Sequence, residues 1–199
     1  MKKYFTCAFV CILVSITTRA QQIQVSVNYI TSDATVTKSV IYYDKATPLT
    51  WPDFKGKPEI NSEAAAITNA GLGFKMMYHS RDNIATLEIS VNCNFSPLDS
   101  WVKNGRRTPY ILNHEQHHFD IAYLHTWWFI QHLRTTKYTM KDYASVIKKL
   151  YYQAQTDLLK MQNDYDSETK NSQLPDQQER WNKKIDKMLA ELPTDLNLN

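Results

Sequence analysis

The chain of 199 residues is poor in cysteine, in glycine and in net charge, and each shortage removes a class of protein. Of its three cysteines, Cys7 and Cys11 fall in the apolar start of the chain. Cys93 is then alone in the remainder, so no disulfide can form there and the core must stabilise the fold unaided. A cysteine in that position is read as a small buried apolar residue. The whole chain carries +3, and Lys2, Lys3 and Arg19 lie in a first stretch of twenty residues that holds no acid, so the rest sums to zero. A neutral chain offers no attraction for nucleic acid or for an anionic membrane surface. Beyond the start there is no long apolar run, no internal repeat and no low-complexity tract. That leaves neither a membrane span nor a repeat architecture. Residues 109–192 are nearly free of glycine and proline, the two residues that most readily interrupt helices.

What is present begins with a leader pattern. Lys2 and Lys3 precede a mostly apolar run of 13 residues, Tyr4 to Ile16, and Thr18-Arg19-Ala20 ends on a small residue before Gln21. This is the layout of a secretory signal peptide, with cleavage expected after Ala20 and a secreted or periplasmic product. The apolar run is too short to cross a bilayer. Residues 21–199 suffice for one domain with a sizeable core.

The composition of that domain shifts along its length. Gln22 to Ile30 and Val36 to Tyr43 read as strands, and Leu49 to Pro58 as a turn-rich connector. Residues 71–78 and 85–92 read as a strand pair joined by the polar segment Ser80-Arg81-Asp82-Asn83. In the second of them Leu87, Ile89 and Val91 point one way and Glu88, Ser90 and Asn92 the other. Thr108 as N-cap and Pro109 as first residue open a long helix reaching about Leu133. A second helix is expected from about Met140 to Met161, followed by a polar loop at 164–172, and a third from Pro175. The expected fold class is α+β, with N-terminal antiparallel strands packed on the long helix and two further helices after it.

Within the first helix, residues 114–118 read His-Glu-Gln-His-His. This fits H-E-x-x-H: His114 and His118 are four apart, on one helix face, where both imidazoles can reach one Zn2+. Glu115 follows the first ligand, placed to take a proton from water at the metal. The competing reading is a polar surface helix that happens to spell the motif. His117 lies about 60° away on the helix and reads as a solvated or outer residue. Asp120, about 200° from His118, faces away from the metal and reads as an outer-sphere or helix-to-sheet contact. His125 and His132 share the stripe, but His125 is seven residues past His118, about 10.5 Å of rise, and both read as half-buried helix residues. Trp51, Trp101, Trp127 and Trp128 are read as core and rim packing.

A catalytic zinc site needs a third protein ligand, and acids at two places in the chain qualify. If the second helix runs back along the first from a turn near Lys137, residues 156–160 come opposite the histidines, and Asp157 lies in that window. The other candidate is the loop carrying Asp166 and Glu168.

The chain resembles a family of uncharacterised bacterial secreted proteins regarded as zincin-type zinc-dependent proteases. The matching pieces are Leu49-Thr50-Trp51-Pro52-Asp53-Phe54-Lys55-Gly56, Ser100-Trp101-Val102, residues 112–121 around the motif, Tyr165-Asp166-Ser167-Glu168-Thr169, and Trp181-Asn182. They span about residues 49–182. The resemblance implies an exported metallopeptidase acting on a peptide or protein substrate, with His114 and His118 on zinc and Glu115 as base. Where it implies a further histidine, two places after Thr169, this chain has Asn171. A nearby acid such as Asp166 then completes the site, or the protein is a non-catalytic envelope binding module. The strand around Leu87 and Val91 is expected to offer its edge to an extended peptide.

Overall fold

The computed structural model describes residues 22–33, 40–81 and 84–193. The leader reading of residues 1–20, and residues 36–39 of the expected second strand, lie outside them. The described chain runs β1 (Gln22–Tyr29), β2 (Ile41–Tyr42), a 3-10 turn at Trp51–Asp53, β3 (Ala66–Ile67), β4 (Ala70–Arg81), β5 (Ile84–Phe95), β6 (Trp101–Val102), α1 (Pro109–Thr135), α2 (Tyr143–Thr169) and α3 (Pro175–Ala190). The α+β class is as expected from the sequence.

Alternation in β5 sorts its side chains. Ala85, Leu87, Ile89, Val91, Cys93 and Phe95 are at most 1% exposed. Thr86, Glu88 and Ser90 on the opposite face are half-buried. β4 pairs antiparallel along the whole of one side of β5, from Ala70 opposite Phe95 to Arg81 opposite Ile84. β1 runs along the other side, and β2 continues that side at Phe95 and Asn94.

Two expectations are corrected here. β1 is parallel to β5, with Gln22 opposite Ile84 and Tyr29 opposite Val91. Alternation of apolar residues fixes which face a side chain takes and carries no information on strand direction. β5 is central, with both edges paired, so it has no free edge for a peptide.

α1 lies on the Leu87–Val91 face. Phe119 meets Phe95 with ring centroids 5.9 Å apart, and Phe129 meets Phe74 at 5.7 Å. Its start follows the sequence signals: the Thr108 hydroxyl accepts the Ile111 N–H at 3.2 Å, and Pro109 takes the first helical position. From His117 to Ala122 every residue is buried, so sheet and helices cover α1 on all sides at that level.

α2 is longer than expected and includes residues 164–169, which the sequence reading assigns to a loop. The polar run Gln162 to Lys170 hides a continuing stripe, because Leu158, Tyr165 and Thr169 are all buried. The seven residues between α1 and α2 centre the turn near 139, two places beyond the assumed pivot. The face opposite the histidines moves accordingly toward Gln162 and Asp166.

Gly56 allows a close approach to the segment just before β6, where its N–H donates to the Ser100 carbonyl at 2.7 Å. A Cβ there would sit 2.8 Å from both the Leu98 and Ser100 carbonyl oxygens, while at Gly71 nothing lies within 4 Å. Gly56→Ala is therefore expected to destabilise the fold by about 1–3 kcal/mol through forced backbone shifts, with Gly71→Ala as the tolerated control. Urea midpoints measured side by side check this.

Candidate metal centre

Three ring and carboxylate atoms converge between α1 and α2. His118 Nε2 lies 3.0 Å from Asp166 Oδ1, His114 Nε2 lies 3.1 Å from the same oxygen, and the two Nε2 atoms are 3.3 Å apart. Zinc with nitrogen ligands at 2.0–2.1 Å sets tetrahedral edges of about 3.3 Å, so this triangle matches three corners of one coordination sphere. Among the described residues it is the one such group of His, Cys, Asp or Glu. Both histidines are buried, and Asp166 is half-buried, with 33% of its side chain exposed.

Two glutamines fix the rings. Gln162 Nε2 donates to the His118 carbonyl at 3.0 Å, which turns its Oε1 toward His118 Nδ1. Gln178, fully buried on α3, donates through Nε2 to Tyr165 and to Asn182 and offers Oε1 to His114 Nδ1 at 2.7 Å. Each ring thus has its Nδ1–H taken up and its Nε2 lone pair aimed at Asp166, an assignment made from the hydrogen-bond network. Three acceptor atoms in contact require a cation among them. In the metal-free protein a proton serves. Burial opposes charge on His118, but its hydrogen bond to Asp166 and the Asp166 and Glu115 charges outweigh this and raise its pKa to about 9. Burial likewise acts to raise Asp166, yet the hydrogen bonds from His114 and His118 hold it well below the usual carboxylate range.

Glu115 is 3% exposed, and its Oε2 has no hydrogen-bond partner among the described residues. Burial pushes its carboxyl upward, offset in part by His118, His114 and the Thr68 hydroxyl. Thr68, just before β4, also donates to the Glu115 carbonyl at 3.1 Å. A buried carboxyl held next to the cluster with one oxygen unengaged is suited to receiving a proton.

Other expected residues fall elsewhere. Asp157 is exposed and pairs with Gln153 at 3.0 Å, because the shifted turn carries it past the histidines. Glu168 accepts the Trp181 indole N–H at 2.8 Å. His117 is buried rather than solvated, with Nδ1 2.8 Å from Asp120. Asp120 also accepts from Tyr43 at 2.9 Å and Gln116 at 2.8 Å, the helix-to-sheet contact its position suggested. No hydrogen bond among the described residues joins His117 or Asp120 to the three converging atoms, whose ring partners are Gln162 and Gln178 instead. His132 is exposed and bonds the Trp128 carbonyl, whereas His125 is 3% exposed. Gln162, Gln178, Tyr165 and Thr68 went unread in the sequence. Gln162 and Asp166 repeat the four-residue spacing of the histidines, a signal that depends on extending α2.

Comparisons of the chain with protein families, curated proteins and solved structures give no match.

His125 provides a pH marker independent of the cluster. Burial lowers its pKa to about 4, against a small opposing effect of Asp157. Its folded value lies below the unfolded one, so its contribution is present above pH ~6.5 and is lost as pH falls toward 4. Denaturant midpoints are expected to fall over that window and to flatten in His125→Gln.

Proposed function

We propose that this protein is a zinc-dependent hydrolase acting on peptide bonds, exported by the leader at residues 1–20 and of the zincin type that its sequence resembles. The carrying observation is the convergence of His114 Nε2, His118 Nε2 and Asp166 Oδ1, with both ring tautomers fixed, beside the unengaged Glu115 oxygen. Zinc held by His114, His118 and Asp166 would supply Lewis acidity toward a carbonyl and toward water.

The protein's own groups supply the rest. Asp166 would neutralise one of the ion's two positive charges and, as the least buried of the three, lies on the side nearer solvent. Glu115 Oε2 accepts the proton of the attacking water and hands it to the departing nitrogen. Burial pushes its carboxyl upward, so it takes up a proton more readily than a solvated carboxylate does. No helix among the described residues is long and apolar enough to cross a membrane.

A second reading, an envelope module that holds metal without turnover, is favoured by the burial of both imidazoles, at 3% and 9% side-chain exposure.

Elemental analysis and a peptide-hydrolysis assay separate these. The wild-type chain is expected to hold one zinc per molecule, and Asp166→Ala to lose it. Glu115→Gln should keep the zinc while hydrolysis falls by at least ~10²-fold, the usual scale for removing a general base. Unchanged hydrolysis in Glu115→Gln overturns the enzymatic reading, and stoichiometric zinc without turnover in wild type selects the module.

The glutamine partners give a separate expectation. Gln178→Leu should weaken zinc binding by about 10–100-fold, and Gln178→Glu, which still accepts from Nδ1–H, should restore it. Competition titrations with a chromogenic chelator measure both.

A further inference from the structure

A cleft of about 840 Å3 opens beside the start of α1. His114, Glu115, His118 and Asp166 are not among its lining residues, but three of the lining segments continue to them. Ile111 lies on the α1 face of His114, Glu115 and His118, one turn before them. Asn171, opposite, donates its N–H to the Asp166 carbonyl at 2.9 Å. Ala64 and Ala65 begin the segment that runs through β3 to Thr68, the residue that bonds the Glu115 carbonyl.

The remaining end of the cleft is cationic. Lys103 and Arg106 line it after β6, against one acid, Glu63. The exposed Arg106 guanidinium has no hydrogen bond or ion pair among the described residues, and Lys103 Nζ donates to the Ser62 carbonyl. Arg106 also precedes the first turn of the 27-residue α1, which contains no acid to offset the positive end of the helix dipole. A planar guanidinium with unused donors beside such a helix end suits a carboxylate.

Resting on the hydrolase reading above, we propose that this cleft is the substrate groove and that its Arg106–Lys103 end selects peptides by a carboxylate. The rise from Pro109 to His114 and Glu115 is roughly 8 Å, which an extended peptide covers in two to three residues. A side chain or a free chain end has the required chemistry.

The test uses the full chain as Glu115→Gln, loaded with zinc, and reads binding of fluorescent hexapeptides by anisotropy at low salt. One peptide pair differs by Asp against Asn at each internal position, and a second by a free against an amidated C-terminus. At least tenfold tighter binding of one acidic form is expected, falling below threefold when Arg106→Ala and Lys103→Ala are combined. A contrast confined to amidation assigns the site to a chain end, and one confined to an internal position assigns it to a side chain. Equal binding of acidic and neutral peptides, or a contrast that survives the double substitution, overturns the proposal. If the contrast depends on Arg106 and Lys103 but the wild-type protein cuts none of the bound peptides, the carboxylate groove stands and the hydrolase reading falls.

Discussion

The site depends on burying α1 from every side while its sequence remains polar. Residues 117–122 are all buried, yet this stretch and the turn before it carry three histidines, a glutamate, a glutamine and an aspartate. Each such group loses water on folding and costs free energy unless a partner replaces it. The partners come from every neighbouring layer: Tyr43 after β2, the backbone N–H of Leu49 in the connector, Gln162 on α2 and Gln178 on α3. Because those partners have fixed directions, they orient the side chains of α1 as well as satisfying them. Precision at the metal centre is thus a by-product of the requirement to bury a polar helix.

Without metal, the cluster is an arrangement of acceptors completed by a proton. The proton on His118 and the charge on Asp166 form a pair that is neutral in sum, and removing Asp166 would leave the charge on buried His118 without its counter-ion. A divalent ion has to displace that proton, so occupancy is linked to pH by the same groups that bind. Outer partners that are amides, rather than carboxylates, add no charge. With zinc, two neutral imidazoles and one carboxylate, the centre would retain a single positive charge.

The sequence disclosed most of α1, because Thr108-Pro109 and the H-E-x-x-H spacing act locally and need no tertiary information. The same holds for the faces of β5, which alternation sorts without reference to neighbours. Strand direction was not legible in β1, since Ile23, Val25, Val27 and Tyr29 would line one face in either sense. The end of α2 was hidden for a different reason. Its last turns are polar because they carry Asp166 and Gln162, and polarity at a site looks, in one dimension, like polarity in a loop. Asp157 was misplaced by a pivot two residues early, which shifts the facing position by four residues, about 6 Å of helix rise. Gln178 could not be found, since nothing local ties a glutamine on α3 to a histidine 64 residues earlier.

The turn between α2 and α3 shows how far the chain goes to bring Gln178 back. Lys170, Asn171 and Ser172 all have positive φ, at 47°, 49° and 67°. For residues with a Cβ this conformation costs roughly 1–2 kcal/mol each, less for Asn, and helices commonly place glycine where α2 has Lys170 and Asn171. No glycine follows Gly105 in this sequence, so the strain falls on side-chain-bearing residues. Local bonds over-determine the turn: Asn171 N–H to the Asp166 carbonyl, Leu174 N–H to the Thr169 carbonyl, and the Tyr110 hydroxyl to the Ser172 carbonyl at 2.9 Å. The last of these crosses to the first turn of α1. One strained turn therefore joins the helix that supplies two ring ligands, the helix that supplies the carboxylate, and the helix that orients a ring. Relaxing it would move Asp166 and Gln178 together relative to His114, which is why strain there is tolerable only while all three contacts hold.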